Sequence, residues 1–320
     1  MFTNLEQLKK PGQLGIIAAI LSKFTARTDV IFGKILLTTS SPLLVAFVEN
    51  IAAFFMLFFY IGTKTFIQNV RMIERHELIS ITISAILTGG LGPIFFLQGL
   101  ANTSAINTSL LVNINPLFLS VLGVIVLKET FTRSLITGIS LMSLGILILS
   151  TKGFTEGFDF SNGDYMIILS ALSYSIGTLI FKRYVHNENI TTLVAYRSTM
   201  ATLIIGGVLM IVSPHELANI GKLMQHTHIL GAYAIIGIIL TYMLHYYALE
   251  NTSITNNALF TLTSPIIGVT YAHLFLGEQL TGIHMVSMGI IIVGLLVTKL
   301  DMLKNTLMVA RLKLKSLHNA

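Results

Sequence analysis

Between Leu21 and Lys34 the chain reads LSKFTARTDVIFGK, and the runs on either side, QLGIIAAI and ILLTTSSPLLVAF, are apolar. Lys23, Arg27 and Asp29 thus stand inside a segment long enough to cross a bilayer. Glu49 sits in LLVAFVENIAAFF, and Arg197 follows Tyr196 in LVAYRSTMATLII. A charge at the bilayer centre costs about 2.5–3.5 kcal/mol on insertion scales, so such groups must face a polar chamber or one another. The chemistry they offer is electrostatic. Lys23 and Arg27 can draw an anionic group such as a carboxylate, while Asp29 and Glu49 can take up and release a proton.

Helical geometry sorts these groups. At 100° per residue, Lys23, Arg27 and Lys34 fall within about 40° of one another and form one basic stripe. Asp29 lies on another side with Gly15, Ala18, Ser22, Ala26 and Gly33, small residues that suit close helix contact. The stripe is expected to line a cavity, with structural ion pairing as the alternative, and Lys34 is expected to snorkel to the interface. Glu49 is expected to pair with Arg27 or Arg197.

Two later segments carry polar faces beside a proline. Ser104, Thr108 and Asn115 share a helix face next to Pro116; Thr252, Asn256, Thr263 and Thr270 repeat the device next to Pro265. A helical proline frees a backbone carbonyl, and at membrane depth a freed carbonyl is tolerated where protein or a cavity satisfies it. Thr241, Tyr242 and His245 add a further polar patch. Glu129 and Glu278 precede later helices and read as N-terminal caps. The glycines of TGGLGP and TGISLMSLG read as packing contacts.

The composition supplies the elements that position these groups. Of 320 residues 53% are hydrophobic and 11% charged, with mean hydropathy +0.80, which fits a polytopic membrane protein. The continuous, non-alternating apolar runs predict ten transmembrane helices: 13–38, 42–62, 78–99, 104–127, 134–151, 164–185, 191–213, 229–249, 253–276 and 282–299. With the N-terminus cytoplasmic, fourteen Lys and Arg fall in inner segments and two, Lys152 and Lys222, in outer ones, so both termini are expected inside. The net charge of +6 therefore reads as membrane orientation and not as a nucleic-acid footprint. There is no cysteine, and no HExxH or nucleotide-loop spacing, so neither an enzyme nor an ATP-driven pump is expected, and no cofactor or metal.

The chain also repeats itself. At an offset of 149, Asn102-Thr103-Ser104 matches Asn251-Thr252-Ser253, Pro116 matches Pro265, Glu129 matches Glu278, and Gly145 matches Gly294. Five helices per half is an odd number, so the halves enter the membrane from opposite sides, with a substrate site expected between them near the midplane.

The sequence NTSAINTSLLVNINPLF followed by LKE and GISLMSLG, repeated, resembles the EamA family of the drug/metabolite transporter superfamily over residues 13 to 299. That resemblance implies two inverted five-helix repeats in an all-α membrane protein and transport of small metabolites, often outward. The second repeat keeps the Tyr-Arg pair as Tyr196-Arg197, whereas Glu49 stands where the first repeat of the family often has Arg.

The organisation expected is a cytoplasmic segment 1–12, a first repeat 13–151, an external linker 152–163, a second repeat 164–299 and a tail 300–320. Leu300, Leu303, Leu307, Ala310, Leu314 and Leu317 form an apolar stripe on a basic tail, which suits an anionic inner leaflet over residues 300–318. A contact between protomers of a homodimer would use the same stripe. The function expected is a secondary active transporter, an exporter of small organic metabolites such as amino acids, in a bacterial-type inner membrane. A lipid or lipid-linked-sugar flippase and a non-transporting scaffold are the alternatives.

Overall fold

A computed structural model describes residues 13–127, 132–151, 161–184, 190–251 and 260–318. Among these residues there are helices and turns and no strand. The helices are α1 (Gln13–Ala26), α2 (Thr28–Leu36), α3 (Pro42–Ile61), α4 (Thr63–Met72), α5 (Arg75–Ala85) and α6 (Gly92–Asn102). They continue with α7 (Ala105–Leu111), α8 (Asn115–Leu127), α9 (Arg133–Ser150), α10 (Asn162–Tyr184) and α11 (Ile190–Val212). Then come α12 (Ile220–Met224), α13 (Thr227–Ala232), α14 (Thr241–Asn251), α15 (Ser264–Leu276) and α16 (Gly282–His318).

Among the described residues five stretches are long and apolar enough to cross a membrane: Arg75–Asn102, Ala105–Val126, Arg133–Ser150, Asn162–Phe181 and Ala195–Val212. Pro42–Ala52, Thr227–Gly237, Thr261–Leu276 and Gly282–Thr298 are shorter apolar helices. The bundle's outside is greasy: Phe59, Ile125, Leu203 and Ile211 are more than 60% exposed, which a lipid surround accommodates and water does not.

Several of these stretches are broken, and the breaks have local causes. The segment 13–38 is two helices meeting at Arg27. The hydroxyls of Ser22, Thr25 and Thr28 bond back to carbonyls three or four residues earlier, and Asp29 Oδ1 accepts from Val30 N at 2.7 Å. Such side-chain competition for backbone groups bends helices. A π-helical stretch, Ile86–Leu91, joins α5 to α6, and another, Tyr233–Leu240, joins α13 to α14. A 3₁₀ turn at Val112–Ile114 precedes Pro116, and its counterpart at Thr261–Thr263 precedes Pro265. The two 3₁₀ turns obey the sequence offset of 149, so the halves repeat in backbone geometry as well as in residues.

Small residues set the closest approaches. A Cβ on Gly294 of α16 would lie 2.7 Å from Met142 Cγ and 2.8 Å from Met142 N of α9. On Gly145 it would lie 2.8 Å from Ile291 Cγ1. The glycines of α9 and of the π stretch, where Gly89 abuts Ala201, are packing contacts, as membrane helices require. α4 occupies what the sequence reads as a short polar connection, and α16 runs unbroken into the tail to His318.

Candidate functional site

The break at Arg27 places its side chain among several helices. The aliphatic stem packs on Gly268 of α15, where a Cβ would come 3.6 Å from Arg27 Cδ. Arg27 Nε is buried and has no hydrogen-bond partner. Lys23, one turn earlier, is close enough for its charge to act on Arg27 and on His245 of α14. Asp29 feels the Arg27 charge from beyond the break.

Asp29 also reaches an acidic neighbour. The Glu49 carboxylate of α3 and the Tyr233 hydroxyl lie near enough to influence one another, and the Asp29 charge acts on both. Tyr233 begins the second π stretch, a kind of helix defect that recurs at functional sites. Asp29 and Glu49 both retain accessible surface although helices pack around them. Two carboxylates, a guanidinium, an ammonium and a phenol thus gather from α1, α2, α3 and the segment joining α13 to α14, and so from both halves of the chain.

Among the described residues no ion pair within 4 Å joins Glu49 to Arg27 or to Arg197. A buried donor left unpaired costs about 1–3 kcal/mol. The arrangement therefore offers an acceptor-seeking cationic end at Arg27 and an acidic end at Asp29 and Glu49.

The other candidates lie around this centre. Thr108 is fully buried in α7 and donates to Ser104 O at 2.9 Å. Asn115 Oδ1 lies 2.8 Å from Ser175 Oγ of α10, so it ties the halves together. Pro116 and Pro265 each occupy the second position of a helix, α8 and α15, just after the 3₁₀ turns. Thr241 Oγ1 donates to Ile236 O at 3.0 Å across the π stretch, and Thr263 Oγ1 to Phe260 O at 2.7 Å. Tyr196 lies 3.1 Å from Thr82 Oγ1 and packs with Ile73, Ile81 and Phe181, placing it in a separate cluster on α4 and α5. Arg197 is partly buried, and its carbonyl faces Gly89. Asn256, Thr252, Glu129 and the side chains of Tyr242 and the tail from residue 301 lie outside the described residues.

Three roles emerge only from the structure. Tyr233 reads in sequence as one polar residue in an apolar run; its signal was the offset of 149, which aligns it with the polar Ser84. Lys34 does not snorkel: its Nζ donates to Leu100 O and Thr103 O, each at 2.6 Å, and so caps α6. Glu278 caps a helix of the other repeat. Its two carboxylate oxygens accept from Ala105 N at 2.6 Å and Ile106 N at 2.8 Å, at the start of α7.

Comparison with known proteins agrees with this architecture. The chain matches the EamA-like transporter family twice, over residues 13–151 and 161–300. A protein named "Uncharacterized transporter" from Methanothermobacter thermautotrophicus is 24% identical over 89% of this chain and 85% of its own length. Another so named, from Synechocystis, is 21% identical over 94% of this chain and 90% of its own. A crystal structure superposes with a TM-score of 0.54 at 14% identity over 90% of this chain and 96% of that one, a likeness of fold. The family match covers both halves, and relatives named as transporters match along most of their length: the chain is a multi-pass membrane transporter of the EamA-like family.

Proposed function

We propose that the protein is a ten-span secondary carrier that exports small organic metabolites by alternating access. In this reading the pair α1 and α2 forms span 1, α3 span 2, α5 to α6 span 3, α7 to α8 span 4, and α9 span 5; α10, α11, α13 to α14, α15 and α16 form spans 6 to 10. Residues 13–151 and 164–299 are the two repeats, inserted in opposite senses, with both termini cytoplasmic. The observation that carries the proposal is the convergence of Arg27, Asp29, Glu49 and Tyr233, unpaired as salt bridges, where the repeats meet. Secondary carriers bind substrate at such an interface.

Arg27, with Lys23 behind it, draws an anionic group of the substrate, for which the orphaned Nε–H supplies a donor. Asp29 or Glu49 exchanges a proton during the cycle and couples transport to the proton gradient. The apolar stripe of residues 300–318 contacts the anionic inner leaflet. Because α16 is a continuous helix of 37 residues, about 55 Å long, nearly half of it projects beyond a hydrocarbon core about 30 Å thick before any such contact.

The chain lacks cysteine, so single-cysteine variants test the topology cleanly. Thr39→Cys, at an exposed position after α2, should react with an impermeant thiol reagent from outside. Gln68→Cys, exposed on α4, should react only from the cytoplasmic face. The opposite result overturns the orientation. Transport unaffected by pH or by an uncoupler in the native protein removes the proton coupling.

A further inference from the structure

Four features at the outer end of the bundle combine into a device that the carrier reading leaves unexplained. The first is a hinge. α7, the outer half of span 4, is a separate seven-residue helix, set off from α8 by the 3₁₀ turn Val112–Ile114 ahead of Pro116. Pro116 has no N–H to give to Val112 O, so the continuous hydrogen-bond ladder is interrupted there.

The second feature is the bond from Glu278. It follows Gly277, which adopts φ 69°, a left-handed turn that glycine takes without strain. The turn delivers the carboxylate from the end of span 9 to two backbone N–H groups at the start of α7. Those groups have no partner within their own helix. Glu278 O in turn lies 2.7 Å from His273 Nδ1, which steadies the turn.

The third feature surrounds this bond with others. Lys34 holds Leu100 O and Thr103 O, and its charge acts on Glu278. Thr103 Oγ1 donates to Asp164 Oδ1 at 2.6 Å, while Asp164 Oδ2 accepts from Ser161 N at the start of α10. The outer ends of spans 1, 3, 4, 6 and 9 are thus tied to one another through polar contacts.

The fourth feature is empty space beside the hinged helix. A cavity of about 210 Å³ lies at this end, lined by Asn107 and Leu111 of α7 and, across from them, by Ser150, Asp164, Thr281 and His284. It gives the outer half of span 4 room to shift without driving apolar side chains into a packed wall. Protein interiors are otherwise close-packed and switch between discrete arrangements.

We propose that α7, whose Ser109 meets the same Gly268 as the Arg27 stem, is an external gate over the Arg27–Asp29–Glu49 cluster, hinged at Val112–Ile114 and latched by Glu278. In the latched state Thr108, on the gate, is sealed, with no exposed surface. When the Glu278 carboxylate releases Ala105 N and Ile106 N, α7 turns toward the cavity beside it and the cluster becomes accessible from outside. A simple helix cap would stabilise α7 without controlling access. The proposal rests on the orientation given above, and the test separates the two.

The experiment is thiol labelling of whole cells with an impermeant reagent, using Thr108→Cys in the cysteine-free chain. Combined with Glu278→Ala, the labelling rate from outside should rise about tenfold or more, the factor set by losing about 1.4 kcal/mol of latch energy. Glu278→Gln keeps one acceptor oxygen and should give a smaller rise; it serves also if the alanine variant does not reach the membrane. Ser84→Cys, equally buried but in α5, is the control and should not change. An unchanged Thr108→Cys rate in these variants overturns the latch. So does an equal rise at Ser84→Cys, which signals general loosening. Thr39→Cys reports orientation alone: if it labels only from the cytoplasmic side, the same comparison in inverted vesicles decides the latch.

Discussion

Lys34→Met gives the sharpest quantitative check on the packing account. Methionine keeps the apolar stem and removes only the ammonium. Lys34 Nζ donates to two carbonyls, Leu100 O and Thr103 O, at 2.6 Å each. Leu100 belongs to the last turn of α6, where carbonyls have no partner within the helix. Hydrogen bonds to a charged group contribute about 1.5–3 kcal/mol each. Lys34 is only partly buried, so water can replace part of this, and the low end applies. The substitution should therefore destabilise the protein by about 2–3 kcal/mol. At about 2–4 °C per kcal/mol, the figure for domains of 150–250 residues, the melting midpoint in detergent should fall by roughly 4–12 °C. Fluorescence-detected size exclusion after graded heating reads that midpoint. A fall below about 1 °C would refute the reasoning, because it would mean that the ammonium is solvated at the interface and the carbonyls are satisfied without it.

Other expectations concern packing, the repeat contact and the tail. Gly145→Leu should cost the α9–α16 contact at least about 2 kcal/mol, since a side chain there meets Ile291 and the backbone of α16; loss of monodisperse protein, absent in Gly289→Ala, where a Cβ meets nothing, checks it. Ser175→Ala should lower stability by about 1 kcal/mol through the lost contact with Asn115, read as a midpoint shift in the same heating assay. A peptide of residues 300–318 should gain helicity with anionic vesicles and not with neutral ones, by circular dichroism, as about 1 kcal/mol of attraction per basic residue implies.

What the sequence could reveal was set by periodicity and what it could not by distance along the chain. Apolar runs marked the apolar helices, whose length bilayer thickness governs, and the 149-residue offset paired Pro116 with Pro265; that each follows a 3₁₀ turn came from the structure. The break at Arg27 has no proline or glycine to announce it. It comes from Ser22, Thr25, Thr28 and Asp29 acting together on the backbone, which residue-by-residue propensity misses. Lys34 looked like a snorkelling residue because its partners lie on α6, more than sixty residues away. Glu278 read as a cap, yet nothing in its own neighbourhood pointed to α7, 172 residues earlier at Ile106. Glu49 was expected beside an arginine; its actual neighbours, Tyr233 and Asp29, depend on how the helices cross.

The central claim is that this chain carries a small metabolite through a chamber built on Arg27. Comparing metabolite levels inside and outside cells that express the native protein or Arg27→Gln, inserted to equal amounts, tests it most directly. At least one anionic or zwitterionic compound should shift its distribution with the native protein and return to the level of protein-free cells with Arg27→Gln. The same shift produced by both proteins would contradict it, and would leave Arg27 as a structural group alone.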